Sequence, residues 1–481
     1  MNMKIRNFLV IFLSASLGLF SCSEDVMQKI NENKNNPTDV ASKLIITDII
    51  NNTSFTVTGS DFALYASVYV EYNVGVYNQM YNAEIRVGEP SSATTYNNIW
   101  VSVYANLLNL KAIIAKCSPG GSEEDNTTLL GMAQVLSAYN LATLTDLMGD
   151  VPWTEALQPG VIWAPALDKQ ESIYGVINQF ISDGIDNLGK TSPIPAIGAQ
   201  DPLYAGKAAA WIKFAYGLKA RYAMRLSKVK PDYDAVISAA NQSFAQKSDE
   251  AAYNCAALGV KNPFWQFFND RDYFGASQSL HDKLTELDDP RDNVYFEPYP
   301  GTDEIVFAPN GTPTQAQELY GISAQATSTP TLPIYLMSFH ELEFLKAEAY
   351  ARKNDLDNAK IHLKTAIEIC FANVGLADDA DDYYTNTVEP LLVNQSEAIK
   401  EIMMQKYLGL FEQESIETYN DIRRLKAMGE GASIPLDNPY KFPLRYTYGA
   451  DDVTTNVNVA NAYGDGSYIY TENVWWAGGS R

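Results

Sequence analysis

Apolar residues recur at steps of three and four over long stretches of this chain, separated by short runs of Gly, Pro, Ser and Asn. Residues 97–117 place Ile99, Val103, Leu107, Leu110 and Ile114 on one stripe, which predicts an amphipathic helix. The SPGG that follows ends it, since glycine accepts the geometry of a helix terminus and proline cannot continue the helix. Residues 128–148 repeat the pattern and stop at Gly149 and Pro152. A third such helix, over 207–227, mixes alanines with Trp211, Phe214, Tyr222 and Met224, so that neighbouring helices can approach closely. Between about 255 and 333 the helical period fades, apart from residues 278–287. Asn, Asp, Gly, Pro and aromatic residues dominate there, and the density of rings (Phe264, Trp265, Phe267, Phe268, Tyr273, Phe274) predicts packed loops. After about 430 the chain is rich in Gly, Asn and Tyr, which predicts loops wrapped around the body.

Helical period returns over 333–374, where Tyr350, Ala359, Leu363 and Ala366 fall at offsets of 9, 4 and 3. This resembles one tetratricopeptide unit, with NDLDN as its turn. Alanines stand where two antiparallel helices cross most closely, and larger side chains fill the gap beside them. Other segments match less well, so a few irregular repeats are expected rather than a regular array.

The first residues carry a different signal. Lys4 and Arg6 precede 13 uncharged residues, Phe8 to Phe20, the pattern of a signal peptide. At ~1.5 Å rise these cover about 20 Å, short of the ~30 Å hydrocarbon layer, so a permanent transmembrane helix is disfavoured. The segment ends in LFSC, which resembles a bacterial lipobox and makes Cys22 the expected acylated N-terminus. Acyl chains at ~0.8 kcal/mol per buried methylene would anchor the protein stably. Ser23, Glu24 and Asp25 resemble the acidic export signal of Bacteroidetes surface lipoproteins, so an outward-facing protein is expected. The expected boundaries are a signal peptide over 1–21, an acylated, flexible tether over 22–40 and a domain over 41–481.

Composition narrows the function. The chain of 481 residues is 46% hydrophobic and carries a net charge of −23, enough apolar surface for a large core and a field that repels phosphate backbones. Nucleic acid is therefore not expected as a partner. Thirty tyrosines against 19 phenylalanines keep many rings tipped with a polar group, suited to wetted surfaces. Three cysteines remain after Cys22, an odd number at wide spacing, which implies no disulfide framework. The histidines, His281, His340 and His362, have no metal-site spacing, and His340 sits in an apolar helical run that predicts a structural role. No GxGxxG or GxSxG is present. The expected cofactor, metal and catalytic set is none. Two exceptions stay open: a carboxylate pair of glycosidase spacing, and Ca²⁺ at the DDADD run of 378–382.

Seven stretches resemble the SusD/RagB family of Bacteroidetes outer-membrane lipoproteins, in its branch with an NPN-type N-terminus. They are NENKNNPTDV (31–40), YNLATLTDLMGDVPWTEAL (139–157), LDKQESIYGVI (167–177), WIKFAYGLKARYAMRLS (211–227), LDDPR (287–291), PIYLMSFHELEFLKAEAYAR (333–352) and QKYLGLFEQESIETYNDIRRL (405–425). The resemblance implies a mainly α fold, a single domain whose tetratricopeptide-like helix pairs form a right-handed superhelical scaffold with a large, loop-rich ligand-binding face. It also implies a SusC-like TonB-dependent transporter as partner and a nutrient, most commonly a glycan, as ligand. Peptide capture is the alternative and a surface hydrolase the third reading. Asp289, Pro290 and Arg291 are expected to shape a turn with an internal ion pair, and Arg423 and Arg424 to serve packing or salt bridges.

The family pattern assigns no binding residues, so candidates rest on chemistry. A sugar needs exposed rings flanked by amides or carboxylates. Two loops offer this: Tyr77, Asn78, Gln79, Tyr81 and Asn82, and the segment from Trp265 to Tyr273 with Gln266, Asn269 and Asp270.

Overall fold

The computed structural model describes residues 40–88, 94–324 and 329–481. The expected signal peptide, Cys22 and the tether lie outside the described residues, except Val40. Residues 42–481 form one compact unit. It is mainly helical, as the periodicity predicts.

Four helix hairpins supply most of the scaffold. They are α4 (Asn97–Cys117) with α5 (Thr127–Met148), α6 (Gln170–Leu188) with α7 (Ala208–Arg225), α11 (Phe339–Arg352) with α12 (Leu356–Asn373), and α13 (Gln395–Gly409) with α14 (Ser415–Met428). α1 (Ser42–Asn52) packs on α4, α2 (Asp61–Tyr69) on α14, and α8 (Tyr233–Ala240) joins α7 to α11, while α10 (Gln278–Glu286) is the helical piece expected near 278–287. α5 is buried nearly throughout, its polar Gln134, Ser137, Asn140 and Asp146 included. Its Gly131 lets α6 come close: a Cβ there would stand 2.8 Å from the carbonyl oxygen of Gly184.

Local signals set the helix ends. The side chains of Asn126, Ser338, Asp355 and Asn394 accept hydrogen bonds from backbone N–H groups of the first turns of α5, α11, α12 and α13. Gly149 closes α5 at φ 81°. The tetratricopeptide-like quartet behaves as its spacing predicts. Ala359, Leu363 and Ala366 are buried, and Tyr350 stacks on His362 with centroids 5.4 Å apart.

Charged residues hold the hairpins together from inside. Arg291 and Asp289 form the expected internal pair of the LDDPR turn, 2.6 Å apart with both side chains fully buried. Arg423 lies over the rings of Tyr419 and Trp476 at 4.4 and 4.8 Å. Lys406 of α13 meets Asp421 of α14 at 2.7 Å. His340 is buried and desolvation holds its pKa down at about 3, so it is a neutral core residue. Cys117, Cys255 and Cys370 are buried free thiols, and burial pushes each above its ordinary range.

Among the described residues the strands are short and lie in two-stranded antiparallel pairs. β1 (Asn73–Gly75) pairs with β5 (Phe274–Ala276), β2 (Val151–Pro152) with β3 (Leu167–Asp168), β4 (Ala251–Tyr253) with β8 (Ile334–Met337), and β6 (Phe296–Glu297) with β7 (Ile322–Ser323). No helix among the described residues is long and apolar enough to cross a membrane.

Candidate functional site

Strand pairing brings the two predicted ligand loops together. β1 and β5 join residues some 200 positions apart, with Asn73 opposite Ala276 and Gly75 opposite Phe274. The chain then leaves β1 at Tyr77, which is half exposed, and turns into α3 (Asn78–Glu84) through Asn78 at φ 51°, a left-handed conformation that asparagine tolerates. Tyr77 packs against Tyr273 with centroids 5.6 Å apart, and Asn78 Nδ2 donates to the Tyr273 hydroxyl at 3.1 Å. That bond and one from Arg271 favour the phenolate and lower the Tyr273 pKa. Arg271 also lies over the Tyr273 ring at 5.7 Å.

The second loop is built on α9 (Pro263–Asp270). Pro263 opens it and the Asn262 side chain accepts the Phe264 N–H at 2.8 Å. Helical period then turns Phe264 inward and sets Phe267 and Phe268 on Phe274 at 5.1 and 5.2 Å. Trp265 remains at the surface with the Lys261 ammonium 4.9 Å above its ring, and Gln266, Asn269 and Asp270 are exposed.

These side chains edge an open cleft of about 580 Å³, whose walls include Trp265, Phe268, Asn269, Asp272, Glu297 and Tyr299. Its size suits a few sugar units or a short peptide. Asp272 organises the far wall. Its Oδ2 accepts the Glu318 N–H at 2.9 Å and the Tyr299 hydroxyl at 3.3 Å, while its carbonyl accepts from Gln317 at 2.7 Å. Partial burial nonetheless raises the Asp272 carboxyl above its usual range.

The structure thus sorts the predicted residues. Trp265, Asn269 and Asp270 line the cleft, and Tyr77, Asn78 and Tyr273 form a ring-and-amide platform one residue along the chain from its wall residue Asp272. Tyr81 is tied down, its hydroxyl donating to the Pro313 carbonyl at 2.6 Å. Gln79 and Asn82 face a separate depression beside Asp61 and Tyr65. Arg271, Asp272, Glu297 and Tyr299 were not singled out from sequence. The signal for Tyr299 was its place in PYPG, a ring held between prolines in the aromatic, irregular region. Among the described residues no cluster of three or more His, Cys, Asp or Glu side chains is disposed to hold a metal ion.

A scaffold of helix hairpins carrying an open cleft of rings, amides and carboxylates defines a helical-repeat binding protein. The family model SusD-like, described as starch-binding associating with the outer membrane, matches residues 34–448, and the chain belongs to this family. It is similar to a SusD/RagB family protein from Bacteroides thetaiotaomicron, at 40% identity and TM-score 0.86, over 92% of this chain and 100% of that one. A chitin-binding SusD homolog from Flavobacterium johnsoniae shares the fold at 20% identity and TM-score 0.71, covering 91% and 98% of the two chains. A SusD homolog from Bacteroides fragilis does so at 20% identity and TM-score 0.74, covering 91% and 100%. No curated protein matches the chain.

Proposed function

We propose that this protein is a surface-exposed outer-membrane lipoprotein, acylated at Cys22, that grips an oligosaccharide without turning it over and delivers it to a SusC-like TonB-dependent transporter. The cleft carries the reading. Trp265 and Tyr299 offer faces for the C–H surface of a sugar ring, and Asn269, Asp270, Arg271 and Glu297 offer donors and acceptors for its hydroxyls. The platform of Tyr77, Asn78 and Tyr273 extends the same chemistry beyond the cleft. The family's description supports a starch-type or related glycan and an outer-membrane location.

Calorimetry with maltohexaose, chitohexaose and a lysine-rich peptide, on the acylated chain in a non-glycosidic detergent, tests the ligand. Binding of an oligosaccharide that Trp265→Ala weakens and Trp163→Ala, at a ring 81% exposed elsewhere, leaves unchanged is the expected result. Binding of the peptide alone selects the alternative reading, which the acids Asp270, Asp272 and Glu297 around a single arginine favour. Release of shorter sugars overturns the non-catalytic assignment. Mass analysis of the native N-terminus and co-purification of a barrel partner test the anchor and the delivery.

A further inference from the structure

A second cleft, of about 440 Å³, lies where β4 and β8 meet the turn that carries Tyr204, and Tyr204, Lys247, Glu250, Asn254, Tyr335 and Asn373 help to line it. These come from four separate stretches of sequence, so the cleft exists only in the folded chain. Its volume is within the range of ligand pockets, and its lining is rich in polar groups. Glu250 ends the segment leading into β4, which pairs with β8 and so holds the carboxyl against the start of α11. One carboxylate oxygen, Oε2, accepts the Phe339 N–H at 3.1 Å.

Among the described residues no cation lies within ion-pair distance of this carboxyl. Asp249, beside it, is answered by Lys213 at 2.7 Å, and Lys247 donates to Asn373. The tyrosines facing it, Tyr204 and Tyr335, are neutral, since burial and nearby carboxylates push both phenols up. His340, packed on Tyr335, is neutral as well. Desolvation therefore prevails over the distant attraction of Lys247 and pushes Glu250 up to about 7. A half-ionised carboxyl in a cleft, short of donors, is a site prepared for a ligand that brings them.

We infer that the Glu250 cleft is a second subsite, which takes a hydroxyl-rich sugar unit whose O–H groups donate to the Glu250 carboxylate while Lys247, Asn254 and Asn373 meet its other oxygens. The inference rests on the glycan reading above and adds to it a second point of grip, separate from the Trp265 cleft. Donors from the ligand stabilise the ionised carboxylate, so binding releases a proton and strengthens as pH rises through the titration of Glu250.

The test is calorimetry of maltohexaose and chitohexaose at pH 6, 7 and 8, in buffers of different ionisation enthalpy, on the full chain and three variants. In Trp265→Ala the remaining binding is expected to be about tenfold weaker at pH 6 than at pH 8, with proton release at pH 6. Glu250→Gln, of equal size and still able to accept the Phe339 N–H, is expected to lose that pH dependence and the release. Lys247→Met changes an exposed side chain, and loss of its charge is expected to shift the midpoint to higher pH. Oligosaccharide binding that Trp265→Ala abolishes and Glu250→Gln leaves unaltered at every pH overturns the second subsite alone. Failure of both sugars to bind the parent chain overturns the glycan reading and the subsite with it.

Discussion

Arg424 of α14 sets its two terminal nitrogens on the two carboxylate oxygens of Glu348 of α11, at 2.6 and 2.7 Å, with both side chains fully buried. Arg352 reaches the same carboxylate at 2.7 Å, and Arg424 also holds Asp421 at 3.0 Å. The pairs join the last two hairpins. Arg424→Met would leave the fully buried Glu348 with one partner fewer, and a loss of about 3–5 kcal/mol in urea unfolding is expected. The guanidinium groups hold Glu348 down at about 2, overcoming its desolvation. A depressed carboxyl stabilises fully above its ordinary value near 4.5, and that contribution disappears as pH falls toward 2. Unfolding free energies that match the parent's at pH 6, or that do not decline from pH 4.5 to pH 2.5, would contradict this account.

Trp265 is the α9 ring most committed to the proposed cleft, since Phe264 and Phe267 are spent on packing and Phe268 divides its ring between Phe274 and the cleft wall. Trp265→Ala is expected to weaken oligosaccharide binding at least tenfold, about 1.4 kcal/mol, with little change in thermal stability. An equal loss of melting temperature would mean that the ring serves the core.

The scaffold was legible because it is repetitive and local. The stripe of Ile99, Val103, Leu107 and Leu110 is buried as written, and Asp289 with Arg291 and the apolar run around His340 also declare their environments within a few residues. The cleft is assembled differently. β1 meets β5, and β6 meets β7, through pairs of two or three residues, too short to show a period of two. Tyr299 and Asp272 become neighbours only through those pairings. The acids misled most. Their number read as solvated surface, yet Glu71, Glu84 and Glu412 are buried. Glu71, for one, receives the backbone N–H groups of Asp437 and Asn438 at 2.9 and 2.7 Å, and nothing in composition separates such a carboxylate from an exposed one.

Gly75, the last residue of β1, sits where the chain folds back on α3. A Cβ there would lie 1.8 Å from the carbonyl oxygen of Met80, so no side chain fits unless backbone moves. Gly75→Ala is expected to cost about 1–3 kcal/mol of stability. It is also expected to displace Tyr77 from Tyr273, weakening ligand binding at temperatures where the variant remains folded. Parental affinity in the folded variant would show that the platform takes no part in recognition.

Two buried carboxyls grip β1 at its two ends, and their titration gives the stability a second pH dependence. Glu84 accepts the N–H groups of Gly311 at 2.6 Å and Gly75 at 3.3 Å, while Glu412 accepts from the Ser323 hydroxyl at 2.6 Å and from Asn73 at 3.2 Å. Burial outweighs these bonds and pushes each up to about 7. The sign is opposite to that of Glu348. A raised carboxyl keeps its proton in the folded chain where the unfolded chain has lost it, so its contribution is whole below about 4.5 and declines until pH reaches about 7. Each group can account for up to roughly 3 kcal/mol across that window, and Glu250, also pushed up to about 7, adds a smaller share because it is less buried. Glu84→Gln combined with Glu412→Gln is expected to make the decline between pH 4.5 and pH 8 in urea unfolding shallower, leaving the share of Glu250 and Glu414, which burial also raises, and the low-pH loss tied to Glu348 in place. A decline as steep as the parent's would mean that both carboxyls are already ionised in the folded protein, paired with donors stronger than the backbone and side-chain bonds around them.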